Sequence, residues 1–227
     1  MELNGNATDY HDDFASREDA GRRLAKALAR YKERRPVVLA LPRGGVPVGF
    51  QLAQALDAPL DVLFVRKLGA PGFPELGLGA VVDGPDPQVI LNDHIIRSLQ
   101  VSPDYIEAEK RRQLALIEER KALYRGSRPA LPIAGRTVIV TDDGIATGGT
   151  LRAGLRALAR AGVESTVLAI PVAPPEAWRN LSAEADDGAC LLLPPDFHSV
   201  GFYYRDFTQV TDEEVVDLLQ RGATLGV

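Results

Sequence analysis

Short runs of Val, Ile and Leu with little polar alternation recur along the chain, and most are followed by a stretch with helical spacing. Continuous apolar runs of this kind indicate strands that are buried on both faces, as in a parallel sheet covered by helices. We therefore predict an α/β fold, with a mainly parallel sheet of about five strands flanked by helices. The predicted strands of this sheet are Val37–Leu41, Leu60–Val65, Thr137–Thr141, Thr166–Ile170 and Ala189–Leu193.

Capping residues, proline and glycine predict where the helices begin and end. The predicted helices are Arg17–Tyr31 after Ser16, Val46–Leu56, Ser102 to about Tyr124, Leu151–Ala161, Glu176–Ala183 and Asp212–Leu219 after Thr211. Two further strands, Gly79–Val82 and Gln88–Leu91, are expected around a turn at Asp83–Pro87. Residues 68–76 are rich in Gly and Pro, so we expect a mobile loop there.

The length of 227 residues suits one α/β domain with additions. We place the core at about residues 34–193 and predict a cap, or hood, from about residues 14–32 and 194–227. The helix at 102–124 is an addition to the core. Residues 1–13 are polar and acidic and lack the features of a signal peptide, so a frayed tail is expected.

Composition excludes several classes of site. The net charge of -5 gives no general attraction for nucleic acid. Cys190 is the only cysteine, and the three histidines are scattered, so a structural zinc site is not expected. No apolar run is long enough to span a membrane, and a single thiol suits a reducing compartment. We therefore expect a cytoplasmic protein that binds neither membranes nor nucleic acid.

The segment Val138–Thr150 carries the strongest functional signal. A buried strand delivers Asp142 and Asp143 to its carboxyl end, and a loop rich in Thr and Gly leads directly into a helix. Glycine amides and a helix N-terminus favour a phosphate, whereas adjacent carboxylates accept hydrogen bonds from hydroxyls or hold a cation. Ribose 5-phosphate has both a phosphate for the loop and hydroxyls for the carboxylates. The alternative is an ordinary β–α turn with acidic caps; a Walker A loop and a dinucleotide-binding turn do not match.

This segment resembles the signature of the type I phosphoribosyltransferase family, an apolar strand with two acidic residues and a loop ending Thr-Gly-Gly-Thr. The resemblance implies the phosphoribosyltransferase-like fold and that Asp142 and Asp143 contact the ribose hydroxyls and, through them, Mg²⁺. It assigns the 5-phosphate of phosphoribosyl pyrophosphate to Ala146, Thr147, Gly148, Gly149 and Thr150. Gly144 departs from the family, because many members have a bulkier apolar residue there.

A second strand–turn–helix unit, Leu41–Val46, has anion-binding character. Gly44 and Gly45 are expected to expose amides, and Arg43 adds a fork of donors for phosphate oxygens. An ordinary tight turn is the alternative. In the family, the loop at this place binds pyrophosphate, often through a cis peptide bond, which we place at Arg43–Gly44.

Two further basic residues, Arg66 and Lys67, are predicted to end the buried strand Leu60–Val65 and to precede the mobile loop. The two residues are equally well interpreted as the solvated end of a strand, with no role in binding. By resemblance to the family, both residues contact pyrophosphate, and the loop closes over the site to exclude water.

The C-terminal segment Pro194–Tyr204 is rich in aromatic residues. In purine-salvage members of the family, an aromatic residue just before Val-Gly stacks on the base, which points to Phe197, His198 and Val200 as acceptor-binding residues. A packed core edge is the alternative. Phe14–Ala25 and Val200–Phe207 resemble a less characterised branch whose members often read Phe-x-Asp-Arg near the start; Ser16 replaces that Asp.

The resemblance implies transfer of ribose 5-phosphate from phosphoribosyl pyrophosphate to a nitrogen acceptor, with Mg²⁺ and release of pyrophosphate. A regulatory protein that binds the same ligand without turnover is the main alternative. A phosphoribosyl pyrophosphate synthase is disfavoured by the single phosphate loop, and a nucleic-acid module by the acidic charge balance. The acceptor, a nucleobase or another small molecule, stays open, and a homodimer is usual in the family.

Overall fold

Five parallel strands form the central sheet of the computed structural model, which describes residues 13–83 and 87–226. They are β1 (Val37–Ala40), β2 (Leu60–Val62), β6 (Thr137–Thr141), β7 (Ser165–Val172) and β8 (Asp187–Leu192). The order across the sheet is β2-β1-β6-β7-β8. The predicted parallel sheet of about five strands is therefore confirmed, and β6, the strand before the two aspartates, is its central strand.

Helices cover both faces of this sheet. The α-helices of the described residues are α1 (Arg17–Ala27), α2 (Gly45–Leu56), α3 (Asp93–Ser98), α4 (Pro103–Arg125), α5 (Gly149–Arg160), α6 (Pro175–Ser182) and α7 (Asp212–Gly222), of which α3 and α4 pack against a second, smaller sheet. Alternate residues of β1 enter different apolar clusters: Val38 and Ala40 pack in the cluster that includes α1, α2 and α7, and Val37 and Leu39 pack in the cluster that includes α5. Burial on both faces explains why the strands show no polar alternation.

A second sheet replaces the predicted mobile loop at residues 68–76. Strand β3 (Val65–Ala70) pairs antiparallel with β4 (Phe73–Val82), which pairs with β5 (Gln88–Leu91). Pro71 and Gly72 form only the turn, where Gly72 has φ 72°, and the register shifts on either side of Gly69. The loop prediction was wrong because these glycines and prolines serve a turn and irregularities inside a hairpin, whose Leu68 and Leu78 are buried.

Several boundaries differ from the predictions. The first helix ends at Ala27, and Ala29–Arg34 forms a 3₁₀ helix. The predicted strand Leu60–Val65 ends at Val62, so Arg66 and Lys67 lie inside β3 and are exposed instead of ending a buried strand. The caps Ser16, Ser102 and Thr211 are confirmed, since each side chain accepts a hydrogen bond from the amide three residues on. Most of the predicted tail (residues 1–12) and the middle of the predicted turn (residues 84–86) lie outside the described residues.

Helix α4 is anchored to both sheets by a buried ion-pair network. The Arg125 Nε atom donates to Asp61 Oδ1 over 2.9 Å, and Asp61 Oδ2 accepts from the Leu131 amide. Lys121 Nζ lies 3.0 Å from Asp83 Oδ1. These contacts fix the C-terminal half of α4 beside β2 and β4. Among the described residues, no helix is both long and apolar enough to cross a membrane.

Phe14, before α1, meets the segment around Tyr204, before α7, next to the residues that follow the central strand. Phe14, which is fully buried, pairs with Tyr204 in an isolated parallel bridge. The Phe14 amide donates to the Tyr203 carbonyl, and the Arg205 amide donates to the Phe14 carbonyl, each over 2.9 Å. We call residues 14–17 and 197–208 the terminal cap.

Candidate functional site

The two aspartates lie at the carboxyl end of β6, where neighbouring parallel strands also end. Asp142 and Asp143 are both half-buried. The Asp143 amide donates to Asp142 Oδ1 over 2.9 Å. Within the described part of the chain, Asp142 Oδ2 has no hydrogen-bond partner, which leaves that atom able to accept from a ligand hydroxyl.

Arg17, from the first turn of α1, forms an ion pair with Asp143. Its Nε atom donates to Asp143 Oδ2 over 2.9 Å, and the side chains are only 10% and 16% exposed. Nη1 donates to the Thr208 carbonyl, and the guanidinium carbon lies 3.9 Å from the centre of the Phe207 ring. The sequence analysis did not assign Arg17 to the site. The only signal was the Phe-x-Asp-Arg resemblance, in which Arg17 is the matched basic residue.

The terminal cap also contacts the acidic pair through Tyr204 and Val200. The Tyr204 hydroxyl donates to the Asp143 carbonyl. A Cβ added at Gly144 would lie 2.5 Å from Val200 Cγ1 and 3.0 Å from Val172 Cγ1. The departure at Gly144 therefore has a packing reason: Val200 occupies the space that a bulkier residue would need.

Burial disfavours the charged form of both aspartates. It raises the pKa of Asp142 well above its ordinary value, and the neighbouring charge of Asp143 raises it further. Burial also raises the pKa of Asp143, but the Arg17 guanidinium opposes that rise. Both carboxyl groups are in the same buried environment, but only Asp143 has a cationic partner, Arg17. Asp143 is therefore the better stabilised anion of the pair.

The loop from Ala146 to Thr150 is open at the same edge of the sheet. The Ile145 amide donates to the Val172 carbonyl and ties the loop to β7. Among the described residues, none of the amides of residues 146–150 donates a hydrogen bond to a protein acceptor. Gly148 has φ 75° and caps α5, and no atom lies within 4 Å of a Cβ added at Gly149. The loop therefore presents unpaired amides and the N-terminus of a twelve-residue helix.

The turn between β1 and α2 is packed more tightly than predicted. A Cβ added at Gly44 would lie 2.0 Å from Asp143 Oδ2, and one added at Gly45 would lie 2.9 Å from the Thr141 carbonyl oxygen. The Gly45 amide donates to the Leu41 carbonyl over 3.0 Å, so the expectation that this amide is exposed was wrong. The cis peptide bond is Pro42–Arg43, one bond earlier than predicted.

A cleft of about 220 Å³ lies beside this turn. Its polar lining comes from separate elements: Arg43, Arg66, Arg120, Tyr124 and Thr150. Lys67 instead lines a neighbouring cleft of about 530 Å³ together with Thr147, Gly149 and Thr150. The structure therefore brings Arg43 and Arg66 together on one side of Thr150 and places Lys67 on the other.

The predicted acceptor residues lie in the terminal cap, and two of them pack against other aromatic residues of that cap. Phe197 stacks on Tyr203 with ring centroids 5.6 Å apart, and His198 contacts Phe202 at 4.9 Å. Val200 packs on Gly144, next to Asp143. Of the three, Val200 is the residue that the structure brings into contact with the acidic-pair segment.

The site offers few protein side chains that could hold a Mg²⁺ ion. In the part of the chain that the structure describes, no group of three or more His, Cys, Asp or Glu side chains could hold a metal. Asp142 Oδ2 is available, whereas Asp143 Oδ2 is engaged by Arg17. Mg²⁺ is commonly held by one or two carboxylates, waters and substrate phosphates, so this donor set fits an ion that a ligand brings to the site.

Comparisons with known proteins agree with this architecture. The chain is 44% identical over 209 residues to Rv0571c of Mycobacterium tuberculosis (strain ATCC 25618 / H37Rv) and to MT0597 of strain CDC 1551 / Oshkosh, both provisionally named phosphoribosyl transferases. These matches cover 92% of this chain and 47% of each relative, so the chain spans about half their length. The crystal structure of TT1426 from Thermus thermophilus is 43% identical, with a TM-score of 0.82, and the match covers 93% of this chain and 99% of that one.

The sequence also matches the phosphoribosyl transferase domain family over residues 89–206, more than half of the chain. The matched segment includes β6, both aspartates and the loop to Thr150. The chain therefore belongs to the phosphoribosyl transferase domain family.

Proposed function

We propose that this protein binds phosphoribosyl pyrophosphate with Mg²⁺ and transfers ribose 5-phosphate to a nitrogen acceptor, with release of pyrophosphate. The observation that carries the proposal is the row of unpaired amides at residues 146–150, which follows the acidic pair at one sheet edge. Amides at a helix N-terminus favour the 5-phosphate, and Asp142 Oδ2 can accept a hydrogen bond from a ribose hydroxyl.

The chemistry needs no protein nucleophile. The bond between the anomeric carbon and the pyrophosphate oxygen breaks, and pyrophosphate leaves with the bonding electrons. A bond forms from the acceptor nitrogen to the same carbon, and the nitrogen loses its proton to solvent. Positive charge develops on the ribose as the first bond breaks, and the Asp142–Asp143 pair stabilises that charge. Bound Mg²⁺ would neutralise charge on the leaving pyrophosphate.

Arg17 and Tyr204 position the acidic pair. Arg17 holds the Asp143 carboxylate, and the Tyr204 hydroxyl holds its carbonyl, so the backbone that precedes the loop is fixed from both ends. Arg43 and Arg66, which line one cleft with Thr150, supply guanidinium donors for pyrophosphate oxygens. Val200 and its aromatic neighbours are the residues through which the acceptor is selected.

The experiment is a screen for pyrophosphate release over nucleobases and other nitrogen compounds, with Mg²⁺ and phosphoribosyl pyrophosphate. Replacing both Asp142 and Asp143 by Asn should lower turnover by roughly 10²- to 10³-fold or more, because charge stabilisation in the transition state is lost. Asp217→Asn on α7, where the carboxylate pairs with exposed Arg221, is the matched control. Full turnover in the double variant would contradict the mechanism.

A second candidate function is regulation, in which the same ligand is bound without turnover. The observation that favours it is the Arg17–Asp143 ion pair, because a carboxylate already engaged by a guanidinium has less capacity to hold a ribose hydroxyl. Mg²⁺-dependent binding of phosphoribosyl pyrophosphate, with no pyrophosphate release from any acceptor in the screen, would favour this function over catalysis.

A further inference from the structure

Helix α4 directs two side chains into the cleft that contains Arg43 and Arg66. Arg120 and Tyr124 lie one helical turn apart, so both face the same side. The lining of the cleft therefore includes three guanidinium groups from three elements: the turn before α2, strand β3 and helix α4. Thr150, from the phosphate-binding loop, lines the same cleft.

One carboxylate, Asp212 at the start of α7, organises this cluster. Both of its oxygens accept from Arg120 Nη1 over 2.8 Å, and Oδ1 accepts from the Tyr124 hydroxyl over 2.6 Å. Arg43 Nη1 lies 3.9 Å from Oδ1. The pKa of Tyr124 is raised to about 12 by burial and by its hydrogen bond to Asp212, so the hydroxyl keeps its proton at neutral pH.

The charges of this cluster do not balance. Arg66 Nε donates to the neutral Gln113 side chain over 3.1 Å. Among the contacts of the three arginines within the described part of the chain, Asp212 is the only carboxylate. Three cationic groups and one anionic group leave an excess of positive charge beside Thr150, which favours a ligand with more than one negative charge.

Arg120 is not needed to hold α4 in place. The helix is anchored five residues further on by Arg125, which is 7% exposed and pairs with the buried Asp61. The Arg120 side chain is 46% exposed, and an exposed ion pair contributes little to stability. Its position on the cleft lining is therefore better explained by a ligand than by folding.

We propose that Arg120 is a diphosphate-binding residue, and that helix α4 completes with it an anion site begun by Arg43 and Arg66. This inference rests on the proposed function and adds a binding residue from the helix that the sequence shows as an addition to the core. Asp212 and the Tyr124 hydroxyl hold the guanidinium at the cleft, and its remaining N–H groups donate to diphosphate oxygens in the bidentate geometry that arginine favours.

The test compares two probes on one pair of variants. Binding of inorganic pyrophosphate and of ribose 5-phosphate, each with Mg²⁺, is measured by calorimetry for the wild type, Arg120→Met and Arg111→Met. Met keeps most of the apolar stem, and Arg111, which is exposed and pairs with no carboxylate among the described residues, is a matched control on the same helix. Arg120→Met should weaken pyrophosphate binding by about 10- to 100-fold, as expected for a lost hydrogen bond to a charged group. Ribose 5-phosphate binding should not change, and Arg111→Met should behave as the wild type.

Every other outcome overturns either the inference alone or the inference together with the proposed function. Unchanged pyrophosphate binding in Arg120→Met would overturn the inference and leave the proposed function standing. Equal weakening of both probes in Arg120→Met would show a general effect on the fold and would also overturn the inference. A wild-type protein that binds neither probe would overturn the proposed function, and the inference with it.

Discussion

Two Gly-Gly pairs follow strands in this molecule, and they differ at their second glycine. Gly44 and Gly45 lie where a side chain would collide with Asp143 or Thr141, so glycine there permits close packing. In the other pair, a Cβ at Gly148 would lie 2.4 Å from Leu181 Cδ1, but Gly149 has no atom near its missing side chain, and its loop presents amides without protein acceptors among the described residues. Gly44 and Gly45 therefore belong to the packed side of the site, with Arg17 and Asp143, and Gly149 belongs to the open side. A Gly-Gly turn thus indicates that another group can come close to the backbone. The surrounding residues decide whether that group belongs to the protein or to a ligand.

The largest effect on stability should come from the buried ion pair of the packed side. Arg17→Met leaves Asp143 without its cationic partner, and breaking such a pair costs about 3 kcal/mol. For a chain of this size that corresponds to a fall in melting temperature of roughly 6–12 °C. Differential scanning calorimetry at neutral pH measures the fall.

Arg22→Met is the matched control for this substitution. Arg22 lies on the same helix, its side chain is 58% exposed, and it is 4.0 Å from Asp19. We expect a change within about 0.5 kcal/mol. If Arg17→Met were as mild as Arg22→Met, the packed side would not depend on the Arg17–Asp143 pair.

Alanine substitutions at one glycine of each pair test the comparison directly. Gly44→Ala places a Cβ 2.0 Å from Asp143 Oδ2, which Arg17 holds, and overpacking of this kind costs about 1–3 kcal/mol. Gly149→Ala meets no atom within 4 Å and should change stability by about 0.5 kcal/mol or less. Chemical denaturation of the two variants beside the wild type measures both. Equal losses of stability would remove the distinction between the packed and the open side.

A smaller, pH-dependent effect is expected at Asp142. Because burial raises its folded-state pKa, the folded protein holds the proton more tightly than the unfolded chain does. Stability should therefore fall as pH rises from the ordinary value of 3.8 toward the folded-state pKa, and the full penalty persists above that pKa. Asp142→Asn keeps the acceptor oxygen for the Asp143 amide and removes the penalty. We expect it to be more stable than the wild type by on the order of 1 kcal/mol at pH 8.

The difference between Asp142→Asn and the wild type should shrink as the pH approaches 4. Thermal melts between pH 4 and pH 8 measure it, and Asp217→Asn, on the exposed face of α7, should show no such trend. A constant difference across this range would mean that Asp142 is not held in an environment that disfavours its charge.

Sequence reasoning succeeded where short-range rules decide the structure. The five strands of the parallel sheet follow from apolar runs, and the caps Ser16, Ser102 and Thr211 follow from local hydrogen bonding. It failed at residues 68–76, because Gly and Pro mark a hairpin turn as readily as a loop, and cross-strand pairing decides between the two. It also placed the cis peptide bond one residue late.

The residues that the sequence did not reveal are those that reach the site from a distance. Arg17 and Asp143 are 126 residues apart in sequence, and Arg120 and Asp212 are 92 apart. No periodicity or spacing links such residues, because their contacts depend on how α1, α4 and α7 pack on the sheet. The contacts of the predicted acceptor residues also depend on tertiary packing. Of the three, only Val200 contacts the acidic-pair segment, at Gly144.

The amino-acid sequence by itself determined the central strand, the acidic pair at its end and the glycine-containing loop before α5, since each depends on neighbouring residues and on burial of an apolar run. Tertiary structure alone decided which side of that site is packed and which is open. It joined Arg17 to Asp143, filled the space at Gly144 with Val200, and left the amides of residues 146–150 without partners among the described residues. The physical reason is that close packing and hydrogen-bond pairing are properties of surfaces brought together by the fold.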